Sequence, residues 1–254
     1  MTRLTFLGTG TSQGVPMIGC GCNVCRSKDP RDKRLRSSVH IEHMGLRLLI
    51  DAGPDFRYQM LREGISSVDA MLLTQNHTDH PGGLDDIRAF NYHEKKATQI
   101  YCEKYVEESL RLEYSYAFEE KKYPGAPEWN VNIIDDKPFS INGIEIIPIR
   151  GMHYRLPVLG YRFGDIAYCT DMNNIPEEEF AKLQGLEHFV INCVKRGQHI
   201  SHFSLEEAVA VARKVGARHS WLTHLSHQLP RHEELMKELP EGIQPAYDGL
   251  KIGM

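Results

Sequence analysis

Apolar positions along the chain come in short runs and alternations, not in long helical stripes. Leu4 to Leu7, Ser38 to Glu42 and Leu46 to Asp51 read as strands, the last two joined at the Met44-Gly45 turn. Ala70 to Thr74 is a fully apolar run ending in a threonine and predicts a buried strand. Further strands are expected at Gln99 to Cys102, Ile144 to Ile149, Gly160 to Phe163, Ile166 to Thr170, His188 to Cys193 and Ser220 to Thr223. Helical spacing predicts helices over Asp55 to Arg62, Lys104 to Phe118, Pro176 to Leu183 and Ser204 to Val215. The last of these opens on Ser204-Leu-Glu-Glu207, a capping box in which hydroxyl and carboxylate satisfy the first free amides. Strands form a meander at each end with helices between them. That order favours an α/β chain of two packed sheets with outer helices over a doubly wound parallel sheet.

No repeat, low-complexity stretch or flexible linker divides the sequence, so residues 1–254 read as a single domain. The stretch 91–136 differs in texture, rich in Tyr, Glu and Lys with Tyr123-Pro-Gly-Ala-Pro127 near its end. It reads as a lid or dimer surface, or as a solvated helix plus a loop. With 41% hydrophobic and 25% charged residues the chain is an ordinary globular sequence. No apolar run approaches the roughly 20 residues of a membrane span, so no membrane association is expected. The N-terminus reaches Gly8 too soon for a secretory segment, which predicts a cytoplasmic location. A formal charge of -4 argues against general nucleic-acid binding, and no stable nucleic-acid complex is expected. Thirteen His beside six Cys, in a reducing compartment, point to metal before disulfides.

The richest segment is Leu72-Leu-Thr-Gln-Asn-His-Thr-Asp-His-Pro-Gly-Gly83. A buried strand runs out at Thr74, and His77, Asp79 and His80 then project from a tight loop at its C-terminal end. Two imidazoles and a carboxylate so close together give convergent N and O donors for zinc, manganese or iron. His153, Asp171 and His224 each follow an apolar strand and belong on the same rim. The six residues form a candidate two-metal cluster in which Asp171, with two oxygens, bridges the ions.

On these motifs the sequence resembles the metallo-β-lactamase superfamily, whose fold is an αββα four-layer sandwich carrying a dinuclear site. The Leu7-Gly-Thr-Gly-Thr opening, Gly14-Val-Pro, the Cys-rich loop and the final Thr223-His-Leu-Ser-His-Gln resemble its PhnP-like branch of cyclic phosphodiesterases, from Thr5 to about Ile252. The resemblance implies one metal site of His77, His153 and Asp171 and another of Asp79, His80, Asp171 and His224. The family's metal loop reads His-x-His-x-Asp-His, and Gln75 stands at its first position. An amide carbonyl is a weaker donor to zinc than imidazole, though acceptable to harder ions such as manganese. The first site should therefore hold its ion weakly, so that one or two divalent ions are expected in all.

The second cluster is Cys20, Cys22 and Cys25, within a loop at 19–26. Three thiolates at this spacing need one more ligand for a tetrahedral zinc. PhnP-like proteins take it from the position of His227, which implies a closed, structural zinc beside the active site. Cys102, Cys169 and Cys193 lie in or beside apolar strands and read as core residues. The third feature is Arg196-Gly-Gln-His-Ile-Ser-His202, just before the capped helix. The helix N-terminus with a nearby His suggests an anion pocket. The resemblance implies that His202 contacts phosphate and helps protonate the leaving group. His199 and Arg196 are weaker candidates for substrate contact, His199 being equally readable as a surface residue.

The expected activity is metal-dependent hydrolysis of a small cyclic or nucleotide-like phosphodiester. Water activated on the ions is the nucleophile, Asp79 both ligates and orients it, and His202 assists departure of the alkoxide. Carboxyl-ester, lactone or thioester hydrolysis and tRNA 3′-processing are the competing activities, the latter without a visible basic arm. Gln75 keeps open a catalytically impaired phosphate- or nucleotide-binding module. A small phosphorylated substrate is the expected partner, with a homodimer possible in a superfamily where dimers are common.

Overall fold

A computed structural model describes residues 2–253. The first half of the chain builds one sheet from β1 (Thr2–Gly8), β2 (Ser38–His43), β3 (Leu46–Ile50), β4 (Ala70–Leu72), β5 (Thr98–Cys102) and β6 (Trp129–Ile133). The second half builds another from β7 (Phe139–Ile141), β8 (Ile144–His153), β9 (Leu156–Phe163), β10 (Ile166–Cys169), β11 (His188–Asn192), β12 (His219–Thr223) and β13 (Ile243–Pro245). β14 (Lys251–Gly253) then returns to pair with β1 at the free edge of the first sheet. Both sheets are seven-stranded, with neighbours in sequence order apart from that closing strand. Antiparallel hairpins lead in, and parallel pairs follow from β3 to β6 and from β10 to β13.

Alternation along each strand decides which face it buries. Leu4, Phe6, Leu48, Ile50 and Leu72 point from the first sheet at Tyr161, Phe163, Ile166, Tyr168 and Val190 of the second. Their neighbours face outward. Leu7, Leu49, Met71 and Ile100 pack under α1 (Phe56–Glu63), α2 (Arg88–Glu94) and α3 (Lys104–Glu113). Ala167, Cys169, Phe189, Ile191 and Leu222 pack under the 3-10 helix at Glu177–Leu183, α4 (Leu205–Val215) and α5 (His232–Glu238). The layers are therefore helix, sheet, sheet, helix, the αββα arrangement expected. Cys102, Cys169 and Cys193 are buried within these outer cores. Among the described residues, no helix is long and apolar enough to cross a membrane.

Several boundaries differ from expectation for physical reasons. β8 runs on to His153 because Arg150 to His153 pair with β9 across a hairpin that turns only at Tyr154 and Arg155. The helix expected from Lys104 to Phe118 stops at Glu113, and a 3-10 turn at Ser115–Ala117 buries Tyr114 and Ala117. The stretch 91–136 contributes β5, α3 and β6 to the first sheet and its cover, so most of it is scaffold. The capping box forms, with Ser204 Oγ accepting from the Glu207 amide and Glu207 accepting from the Ser204 amide.

The start of the chain is tied to its end beneath the metal loops. Buried Arg34 donates to Thr9 Oγ1 (2.8 Å) and to the Ala246 carbonyl (2.7 Å), and Thr9 Oγ1 donates to Asp248 Oδ1 (2.8 Å). The hydroxyl is thus the relay between a buried guanidinium and a buried carboxylate. Thr9→Val keeps the shape and removes the relay, so it should cost about 1–3 kcal/mol in a denaturant unfolding experiment.

Candidate metal centre

The C-terminal ends of β3, β4, β8, β10 and β12 lie at the same end of the two sheets, where open α/β folds place their ligands. Asp51 and His224 are the residues just past β3 and β12, Asp171 follows β10 by two, and all three have left-handed backbones (φ 62, 56 and 55°). Such conformations are uncommon outside glycine and concentrate at functional sites, because only a tightly packed surround holds them. The loop after β4 is zipped onto the segment after β3 by Ala52 N–H to His80 O and Gly83 N–H to Ala52 O, each 2.7 Å. Only glycine fits at 53 and 83: a Cβ there would lie 2.1 Å from the Asp79 carbonyl and 2.1 Å from the Gly53 carbonyl respectively.

Two donor groups come together on this rim. Asp79, His80 and Asp171 bring one donor atom each within 4.8 Å of one another, and so do His153, Asp171 and His202. Asp171 belongs to both. Its Oδ2 lies 3.4 Å from His80 Nε2 and 3.2 Å from His224 Nδ1, and it accepts from Thr170 Oγ1 at 2.7 Å. His80 Nδ1 donates to Asp51 Oδ2 (2.7 Å), and Asp51 also takes the amide and hydroxyl of Thr74. That contact leaves His80 Nε2 facing the site, as in metal-binding histidines whose other ring nitrogen is held by a carboxylate. His153 is fixed the same way by Nδ1–H to the Ser201 carbonyl (2.8 Å). The rings of His77, His153, His202 and His224 form a run with centroid separations of 5.0, 4.6 and 4.7 Å.

Electrostatics without an ion shows what the site is built to hold. Burial opposes charge on His80, yet Asp171, Asp51 and Asp79 outweigh it and hold its pKa well above the usual imidazole value. Burial likewise opposes charge on Asp171, but His224 and His80 keep its pKa well below the carboxylate range. Burial holds His153 and His224 down, and burial followed by the nearby His224 pushes His202 down to about 2. Three carboxylates converging on one buried imidazole make the negative surround that a divalent cation fits.

The remaining expected residues fall differently. His77 is exposed and meets His153 ring to ring; among the described residues it joins neither donor group. Arg196 lies on the exposed surface, where its guanidinium pairs with Glu238 and Glu206. At the start of α4 the Leu205 and Glu207 amides go to the Lys195 carbonyl and Ser204 Oγ, and two glutamates occupy the first turn. His199 is half-buried, its ring tilted against His202 at 5.0 Å between centroids. His202 is neutral where it lies, so it offers a lone pair and one N–H; protonating a leaving group would first require an anion beside it. Gln75 is fully buried, with Nε2 2.9 Å from His80 Nε2 and Oε1 without a partner. Asp51, Thr74 and Asn173 were not anticipated from sequence. Asn173 ties both walls of the cleft, accepting from the Tyr154 amide (2.9 Å) and donating to the Ile200 carbonyl (3.0 Å).

Over the centre opens a cleft of about 490 Å³ lined by His77, His153, Tyr154, Arg155, Leu156, Ile200 and Ser201. A larger hollow of about 700 Å³ between α2 and residues 125–128 contains none of the donor groups found among the described residues. Beside the centre, Cys20, Cys22, Cys25 and His227 form a third donor group. His227 Nδ1 lies 3.4 Å from Cys20 Sγ and 3.5 Å from Cys22 Sγ. A tetrahedral zinc with sulfur at about 2.3 Å and nitrogen at about 2.0 Å separates them by roughly 3.5 Å, so the cradle fits that ion. The Met17 and Cys25 amides each donate to a sulfur at 3.4 Å, as a thiolate cluster requires.

Comparison with known proteins agrees with this architecture. The family described as the Beta-lactamase superfamily domain matches residues 46–225. A solved structure described as a new diphosphatase from the PhnP family superposes with a TM-score of 0.93 at 39% identity, covering 100% of this chain and 98% of that one. An octanoyltransferase of Porphyromonas gingivalis is 44% identical over 252 residues, 98% of this chain but 51% of its own length, so the chain spans about half of that relative. A ribonuclease Z of Pyrobaculum neutrophilum is 25% identical over 92% of this chain and 91% of its own.

Proposed function

The chain belongs to the β-lactamase superfamily, and from that membership we propose that it hydrolyses a small cyclic or nucleotide-like phosphodiester with the help of divalent ions. The observation that carries this reading is the pair of donor groups sharing Asp171. A shared carboxylate sets two cations side by side, the arrangement that suits both oxygens of a displacement at phosphorus. Bound there, the ions would supply Lewis acidity, lowering the pKa of water and neutralising charge on phosphoryl oxygens.

The chain's own residues do the positioning. Asp51 and the Ser201 carbonyl lock the rings of His80 and His153, so the donors are pre-oriented before any ion arrives. Asp79, only half-buried, keeps a carboxylate oxygen near His80 Nε2 (3.5 Å) and is placed to orient an attacking water. Exposed Arg155 on the β8–β9 turn offers the cleft a cation for an anionic substrate, while Tyr154, Leu156 and Ile200 form an apolar wall suited to a base or other ring. The diphosphatase name of the 39% identical structure supports phosphorus over carbon.

The test is turnover of bis(p-nitrophenyl) phosphate by the full chain with added manganese, zinc or iron. Turnover well above the chelated protein is expected, and its absence with every metal would overturn the reading. One observation favours a second activity: the relative twice as long bears an acyl-transfer name. Metal-activated water attacks acyl carbon as well as phosphorus. An octanoyl thioester assayed in parallel decides it, since faster turnover of the thioester than of the diester would move the assignment to acyl hydrolysis.

A further inference from the structure

Gln75 stands where the superfamily's metal loop carries its first imidazole. We infer that His202 joins His153 and Asp171 as a ligand of the first ion, in place of the imidazole that Gln75 does not supply. The inference concerns how metal is held and stands whichever ester the protein cleaves.

Four observations converge on it. Gln75 is buried with its amide nitrogen 2.9 Å from His80 Nε2, so its amide is engaged by His80 and supplies no imidazole to the group around His153. His77 is exposed and, among the described residues, outside both donor groups. His153, Asp171 and His202 meet the distance condition for one shared ion, supplying two imidazoles and a carboxylate, the same donor chemistry as His77, His153 and Asp171. Finally, Nδ1 of His202 is buried with no hydrogen-bond partner, 3.8 Å from Asp171 Oδ1. A buried nitrogen left unpaired costs stability unless something absent from the protein alone completes it.

The backbone around His202 is built to hold it there. Phe203 N–H bonds the Met172 carbonyl (2.8 Å) and Asn173 Nδ2 bonds the Ile200 carbonyl (3.0 Å), so the strip 200–203 is stapled to the residues just past Asp171. The Ser201 carbonyl orients His153 from that same strip. One short peptide therefore carries a proposed ligand and fixes the ring of another.

The experiment is a manganese titration by calorimetry on the full chain with its cysteine cluster already loaded with zinc. His202→Ala should lose one manganese equivalent or bind the weaker ion at least about tenfold less tightly. Gln75→Ala should stay within about threefold of the parent. Adding Gln75→His to His202→Ala should restore the lost ion, and low-temperature spectra of the manganese pair should lose and regain their spin coupling in step. His202→Phe, closer in volume and without a donor atom, replaces the alanine variant if circular dichroism shows the latter unfolded. Retention of both ions at parental affinity in the His202 variants overturns the inference. If turnover falls in those same variants, His202 is a substrate group instead.

Discussion

Asp171→Asn is expected to release both active-site ions together and to lower kcat/KM by about three orders of magnitude, equivalent to about 4 kcal/mol of transition-state stabilisation. Asp171 is the residue common to the two donor groups, fully enclosed and aimed by a left-handed backbone at the end of β10. Its charge faces His80 Nε2 at 3.4 Å, and His224 Nδ1 lies 3.2 Å from the same Oδ2. Asparagine preserves the volume and can keep the Thr170 contact through its carbonyl. It removes the negative charge from between the ions and leaves at most one weak donor oxygen. Asp79→Asn is the control, because Asp79 enters only one group and should release one ion. Metal content by mass spectrometry alongside kinetics reads both effects. Loss of a single ion from Asp171→Asn would mean that the carboxylate does not bridge.

Much of this rim is legible in the sequence because its residues obey one local rule: an apolar strand ends and a metal-ligating side chain follows. Asp171 after Ala167-Tyr-Cys-Thr and His224 after Ser220-Trp-Leu-Thr are found that way. Asp51 obeys the same rule after Leu46-Arg-Leu-Leu-Ile, and the following Ala52-Gly53 marks a close approach, so the sequence carries the same signal there. What the rule does not supply is partners. That Gln75 leans on His80, that Arg196 is taken by Glu206 and Glu238, and that His77 stands outside the donor groups are facts of tertiary distance. At α4 the capping box that identifies the helix start also takes the Ser204 and Glu207 amides, which the motif alone does not subtract from an anion pocket. Short strands are missed for another reason. β6, β7, β13 and β14 span only 3 to 5 residues each and include exposed positions, so periodicity has little to act on. The pairing of His227 with cysteines some 200 positions away followed from the family resemblance alone.

Cys22→Ser should lower the melting temperature by about 10 °C and open the segment 16–26 to hydrogen exchange. That segment has little core of its own: Val15, Val24 and Cys25 are buried together with only Met17, Cys20 and Cys22 against them. Its order therefore depends on the ion, and structural zinc contributes folding energy outright. Several kcal/mol lost, at about 2–4 °C per kcal/mol for a chain of this length, gives the stated shift. The thiols also fix how zinc uptake depends on pH. The Cys25 amide, and after it His227, pull the Cys22 thiol down to about 6, so it is a thiolate at neutral pH. Burial pushes the Cys25 thiol up to about 11, so zinc must displace that proton. Affinity should then rise with pH from 6 towards 11 as the Cys25 proton becomes easier to remove, and fall more steeply below 6, where Cys22 is protonated too. Competition with a chromogenic chelator across that range measures it. His227 lies three residues past His224, whose ring is 3.2 Å from Asp171, so loss of the cysteine-bound ion should also loosen one wall of the active centre. If Cys22→Ser binds no zinc at the cluster yet melts with the parent, the loop is held by its own packing and the structural role assigned to the ion is wrong.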